Sequence, residues 1–205
     1  MSEAMTTSPP EKTMRADARR NRDKLIAAAK DLFAETGTDV SLDAVARRAG
    51  VGPGTLYRHF PTRDALVEAA YRSEVAELSA AADDLLATRP PDLALAEWMD
   101  RFVAYAAAKR GMRAALQSVV ASGSDIFADA RRQNLATVAT LLAAGAEAGT
   151  IRPDVEAEDV LRATGVVWQL DDQPGWEEQA RTMLRLIMDG LRYGASGRAS
   201  GDHLH

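Results

Sequence analysis

Thr55, Tyr57, Arg58 and His59 place two hydroxyls, a guanidinium and an imidazole within five residues. Groups of this kind donate hydrogen bonds to phosphate oxygens and to base edges, and their close spacing suits a short helix lying in a major groove. At about 100° per residue, Pro53, Leu56 and Phe60 gather on one side of such a helix, with Tyr57 at their border. Gly54, Thr55, Arg58 and His59 fill the opposite arc, and Gly54 adds almost no bulk there. Other chemistries are poorly supplied. The chain has no cysteine, which removes disulfides, thiolate zinc sites and cysteine nucleophiles. Of three histidines, His203 and His205 sit in a Gly/Ser-bearing tail, so a Ser-His-Asp arrangement would have to use His59. Two tail histidines without further close ligands make weak metal chemistry. The run Gly50-x-Gly52-x-Gly54 lacks the spacing and the lysine of a phosphate-binding loop. No enzyme, no cofactor and no metal site is expected.

The elements that would position the basic helix flank it closely. Leu42, Val45, Ala46 and Ala49 recur at helical spacing behind Ser41, a good N-cap, and ahead of Gly50, which suits the left-handed position that ends a helix. Gly52 and Pro53 then open the next helix, so two helices meet across a very short corner. Upstream, Leu25, Ile26, Ala29, Leu32 and Phe33 form a stripe that stops at Gly37 and can roof a core of Leu42, Val45, Leu56 and Phe60. Arg15, Arg19, Arg20 and Arg22 precede that stripe. They read either as an arm reaching toward phosphates or as a solvated charge run. The formal net charge is −5, but residues 1–62 hold ten Lys/Arg against eight Asp/Glu, leaving fifteen against twenty-two for the rest. The basic end and the acidic body therefore face different partners.

The combination LIAAAKDLFAETG, SLDAVARRAGV and GTLYRHFPTRDAL resembles the N-terminal domain of TetR-family transcriptional regulators over about Arg19 to Tyr71. The resemblance implies an all-α protein: a three-helix helix-turn-helix domain on a helical effector-binding and dimerisation domain. Expected boundaries are a flexible basic arm at 1–17, the DNA-binding domain at 18–61, the helical body at 62–195 and a flexible tail at 196–205. Position by position, it implies phosphate or groove contacts for Thr55, Tyr57 and His59, a phosphate contact for Arg63, and a backbone contact at Ser41. Arg58 falls at a variable position and is the candidate for direct guanine readout. Arg19, Arg48 and Gly54 complete the expected DNA-facing set. Tyr57 and His59 keep an alternative role in packing.

Beyond Pro61 the periodicity predicts a long helix from Thr62 to Arg89-Pro90-Pro91, then helices near 92–109, 112–121, 124–148, 157–170 and 175–193. Trp98, Phe102, Tyr105, Met112, Leu116, Val120, Phe127 and Trp168 are candidates to line an apolar effector pocket, against the plainer reading that they are core. Gln117, Asn134, Gln169 and Arg113 are the polar residues best placed by sequence to orient a ligand. The last two helices carry apolar stripes that permit a homodimer, which would set two reading helices about one DNA turn, roughly 34 Å, or a multiple apart. The expected function is a homodimeric repressor released from a palindromic operator of double-stranded DNA by a small apolar or amphipathic effector. The alternative is a helical binding module that has lost DNA binding. Without an apolar leader or spanning run, the chain is expected to be cytoplasmic, with no membrane partner.

Overall fold

The computed structural model describes residues 9–36, 40–170 and 173–195. Among them are nine α-helices and no strand: α1 Pro9–Thr36, α2 Leu42–Ala49, α3 Pro53–His59, α4 Arg63–Thr88, α5 Pro91–Gly111, α6 Arg113–Ala121, α7 Ile126–Glu147, α8 Ala157–Thr164 and α9 Trp176–Arg192. A 3-10 segment, Gly165–Gln169, continues α8. The all-α expectation holds, and the caps explain most boundaries. Ser41 Oγ accepts the Ala44 N–H at 3.1 Å, and Thr62 Oγ1 accepts that of Ala65 at 3.1 Å, opening α4. Gly50 closes α2 in the left-handed region at φ 64°, and its N–H returns to Ala46 and Arg47 carbonyls. Gly52 and Pro53 then start α3.

Two expectations change. Helix α1 begins at Pro9 rather than near Ala18, so residues 9–17, expected as a flexible arm, are helical; proline is tolerated in a first turn because its missing N–H has no helical partner there. The helix expected over 157–170 tightens to 3-10 geometry after Thr164. Residues 1–8, Gly37 and the tail at 196–205, with His203 and His205, lie outside the described residues.

The chain divides into two compact units. One holds the described residues up to Ala70 together with Gly111–Ser122; the other holds Tyr71–Arg110 and the described residues from Gly123 onward. The helix-turn-helix unit thus extends past residue 61 and takes in α6. Its core is made by Leu25, Ala29, Phe33, Val45, Leu56, Phe60, Leu66 and Val67, all buried, and Met112, which caps α6, is buried as well, with Leu116 and Val119 of that helix. Ser118 donates to Asp64 Oδ2 at 3.0 Å, tying α6 to the first turn of α4.

In the other unit, Leu95, Trp98, Met99, Phe102 and Val103 supply the buried face of α5, and Leu141 and Val138 that of α7. Gly145 of α7 accommodates the buried Ile151, whose Cδ1 would lie 2.4 Å from an added Cβ. Arg192 of α9 donates from Nε to Asp92 at 2.9 Å, holding the end of α9 to the start of α5. No helix among the described residues is long and apolar enough to cross a membrane.

Candidate nucleic-acid interface and effector cavity

The helix-turn-helix unit sorts its side chains as amphipathicity requires. Leu56 and Phe60 are 1% and 2% exposed, whereas Tyr57 is 48% exposed and Gly54 and Arg58 are open to solvent. Thr55 and His59 are half-buried at the edges of the presented face, and the His59 ring lies 6.4 Å from that of Phe60. Small, donor-rich and convex, this face can enter a groove while Leu56 and Phe60 hold the helix on its core.

The cations around α3 differ in how free they are. Arg19, Arg47 and Arg58 are exposed and carry no partner among the described residues. Arg48, expected to face DNA, is exposed but paired: Nη1 and Nη2 donate to the two carboxylate oxygens of Glu35 at 2.9 and 2.7 Å. This forked bond draws the Glu35 carboxyl below its usual range, first through the hydrogen bond and then through the charge of Arg48. Its neighbour Arg47 is the cation of α2 without a partner among the described residues. The sequence does not distinguish the two, because Glu35 lies on another helix, thirteen residues away. Arg63 is also partly engaged, with Nε donating to the Val40 carbonyl at 3.3 Å and its guanidinium 5.9 Å from the Phe33 ring centre. Arg22 lies 5.4 Å from the centre of the Phe60 ring. Ser41 keeps its hydroxyl on the α2 cap.

In the other unit a cavity of about 360 Å³ opens between α4, α5, α7 and α8 with its 3-10 extension. Helix α5 presents Phe102, Tyr105 and Lys109, and α7 presents Phe127, Ala130, Arg131 and Asn134. Leu161, Arg162, Gly165 and Trp168 form the opposite wall, and Tyr71 comes from α4. Of the eight expected lining residues, the structure brings together Phe102, Tyr105, Phe127 and Trp168. Trp98 does not line it: the ring is fully buried, 5.7 Å from Phe102, and Nε1 donates to the Leu78 carbonyl at 3.0 Å, so it is core. Met112, Leu116 and Val120 belong to the helix-turn-helix unit and line no part of this cavity, the first two buried and the third exposed. Of the four polar residues proposed to orient a ligand, only Asn134 is on the wall; Gln117, Gln169 and Arg113 are exposed elsewhere.

Of the polar groups of the cavity, only Asn134 and Tyr105 are legible in sequence. Tyr71 and Tyr105 share a hydrogen bond of 2.5 Å between hydroxyls. Burial, first among the causes, raises both hydroxyls above the usual phenol range, Tyr71 strongly. Asn134 beside the Tyr105 hydroxyl pulls that group's pKa back down, and the buried Oδ1 of Asn134 has no partner. Lys109 was missed entirely. It is half-buried, and its ammonium stands 4.3 Å from the Phe127 ring centre, 4.7 Å from that of Trp168 and 5.6 Å from that of Tyr71. Burial lowers its pKa. As the next-to-last cation before Gly111 it reads as an exposed helix end, and no local pattern marks the three rings around it. The adjacent Arg110 fixes the wall: Nη2 donates to the Val167 and Leu170 carbonyls at 2.8 and 2.9 Å, and the guanidinium stacks 4.1 Å from the centre of Trp176.

Comparison with known proteins matches these two regions separately. Residues 25–70 fit the family model described as bacterial regulatory proteins, tetR family, and residues 90–193 fit that of the C-terminal domain of SbtR-like transcriptional regulators. A crystal structure of a TetR transcriptional regulator from Streptomyces coelicolor is 48% identical, with a TM-score of 0.76 over 83% of this chain and 98% of that one. A TetR regulatory protein from Mycobacterium vanbaalenii is 40% identical, with a TM-score of 0.68 over 87% and 99%. An HTH-type transcriptional regulator of Staphylococcus aureus (strain USA300) is 43% identical over 54 residues, which are 26% of this chain and only 29% of that relative's length. An exposed donor-rich reading helix on a helix-turn-helix core, joined in one chain to a second helical unit and matched along nearly the whole of two solved regulators, leads to one assignment: this chain belongs to the TetR family and is a DNA-binding transcriptional regulator.

Proposed function

We propose that the protein is a homodimeric repressor that occupies a palindromic operator and is released when a small molecule fills the cavity walled by Phe102, Tyr105, Phe127 and Trp168. The observation that carries this reading is the pairing of an open reading face, Gly54, Tyr57 and Arg58, with an aromatic cavity large enough for a small molecule in the same chain. In it, Arg58 reads a guanine through its O6 and N7, and Tyr57, Thr55 and His59 position the helix on phosphates and groove edges. Arg19 and Arg47 neutralise phosphates. Arg48 braces α2 against α1, and Arg63 serves the backbone only as far as its bond to Val40 allows.

Dimerisation is supported by α9. Ala180, Leu184, Met188 and Leu191 are buried, while Met183, Leu186, Ile187 and Gly190 form a second stripe at i, i+3, i+4 and i+7. Leu186 is 68% exposed, and Gly190 has open space around it, so a partner helix can approach closely. Two-fold pairing through α8 and α9 fits a palindromic operator. The effector shifts the dimer toward the state it binds better, and the loss of DNA affinity is bounded by that preference.

Fluorescence anisotropy against the DNA flanking the gene tests the reading. Sequence-preferring binding should weaken steeply as salt rises, since each neutralised phosphate releases counterions. Binding that ignores sequence, or none at all, would remove the repressor assignment.

A further inference from the structure

The wall of the effector cavity bears three cations, Lys109, Arg131 and Arg162, and no carboxylate. Arg131 and Arg162 both reach the same oxygen of Glu158, the latter at 3.2 Å, so one carboxylate serves two guanidiniums. Lys109 differs from both. Among the described residues no acidic side chain pairs with it, and it faces three aromatic rings instead. Aromatic faces partly compensate a desolvated ammonium, but they satisfy none of its three N–H donors. A second group is open on the same wall. Asn134 is 5% exposed, and its Oδ1 has no hydrogen-bond partner. A buried amide oxygen without a donor is uncommon and costly, and a lysine partly withdrawn from water without a counter-ion also carries a cost.

One kind of molecule relieves both. We propose that the cavity takes a small organic anion: a carboxylate on a flat apolar body that carries a hydrogen-bond donor. The carboxylate accepts from Lys109, the flat body lies among Phe102, Phe127 and Trp168, and the donor bonds Asn134 Oδ1. Arg131 and Arg162 add a positive field at the wall, which speeds capture of an anion and disfavours a cation. A cage of aromatic rings alone would favour a cation; the lysine already occupying that position reverses the selectivity. This inference rests on the reading of the cavity as the effector site and names the chemical class of the effector.

Isothermal titration of the full-length protein with four matched probes tests it: 2-naphthoate, 6-hydroxy-2-naphthoate, 2-naphthamide and 2-naphthylmethylammonium. 2-Naphthoate should bind at least about tenfold more tightly than 2-naphthamide, the size expected of a charge-assisted hydrogen bond, and the hydroxylated acid more tightly still. The ammonium probe should bind worst. In Lys109→Met the naphthoate affinity should fall to that of the amide while the amide's stays within about threefold. Equal binding of acid and amide to the wild type, preference for the ammonium, or undiminished naphthoate binding by Lys109→Met would each overturn the anion assignment and leave the cavity reading standing. A hydroxyl that brings no gain would remove the Asn134 contact from the proposal. Failure of every probe to bind would overturn both the anion assignment and the effector-site reading.

Discussion

The two units use positive charge in opposite ways. Around the reading helix, Arg19, Arg47 and Arg58 stand in solvent with no partner among the described residues. Water keeps such charges inexpensive, and they become strong contacts only when a polyanion arrives. In the body, Lys109 is kept half out of water among three rings. On the proposed reading, an anionic ligand completes that arrangement. The lesson is that a surface meant for a large, uniformly charged partner can wait in the open, whereas selectivity for a small molecule is built from groups left incomplete inside a cavity.

Truncating the body's core should give the largest effect. Trp98→Ala removes a fully buried ring and its bond to the Leu78 carbonyl, and chemical denaturation followed by circular dichroism should show a loss of about 3–5 kcal/mol. A loss below about 1 kcal/mol would mean that the neighbouring cavity collapses to fill the gap, and the aromatic wall is then not the rigid frame described. In the other unit, Arg58→Ala should leave stability nearly untouched and relax base preference by about 1–3 kcal/mol in competition binding. A uniform loss across all DNA sequences would make Arg58 a phosphate contact, the same kind of cation as Arg19 and Arg47.

The same contrast decides what could be read from the sequence. The helix-turn-helix is a local object: its caps, Gly50, Gly52-Pro53, and the alternation of Leu56 and Phe60 with Gly54 and Arg58 all fall within twenty residues, so periodicity reveals them. The exceptions there are contacts between helices, such as Glu35 with Arg48, which no spacing along one helix predicts. The cavity is assembled from four helices, and helical periodicity cannot tell Trp98, which is core, from Phe102, which is wall. Nor could it assign α6, which with its N-cap Met112 belongs with the helix-turn-helix rather than with the body that surrounds it in sequence.

The corner between α2 and α3 offers a smaller perturbation. Gly50 sits at φ 64° with open space where a Cβ would go, so Gly50→Ala meets no neighbour and its cost is the backbone strain alone, about 1–2 kcal/mol. Thermal unfolding should show that loss, and DNA binding by the folded fraction should persist. Loss of DNA binding without loss of stability would show that the corner's geometry, rather than its stability, is what the reading helix depends on.

Lys109 gives the smallest change and the one that separates the two uses of charge. Burial lowers its pKa from 10.5. Between that lowered value and 10.5 the unfolded chain binds more protons at this site than the folded one, so the site's contribution to stability rises with pH across the window. Below the window the full cost of the buried ammonium remains. Methionine removes that cost and keeps the apolar stem, so Lys109→Met should be more stable than the wild type by about 1 kcal/mol at pH values below the window. The advantage should shrink as pH approaches 10.5. Tyr71 and Tyr105, both held above the ordinary phenol range by burial, and the charged Arg131 and Arg162 are common to both proteins and cancel to first order in the difference. Denaturant unfolding at several pH values measures it. A wild type more stable than Lys109→Met throughout would show that the rings more than compensate the ammonium, and the cavity would then hold its cation as the DNA-facing unit holds its own, at no cost before the partner arrives.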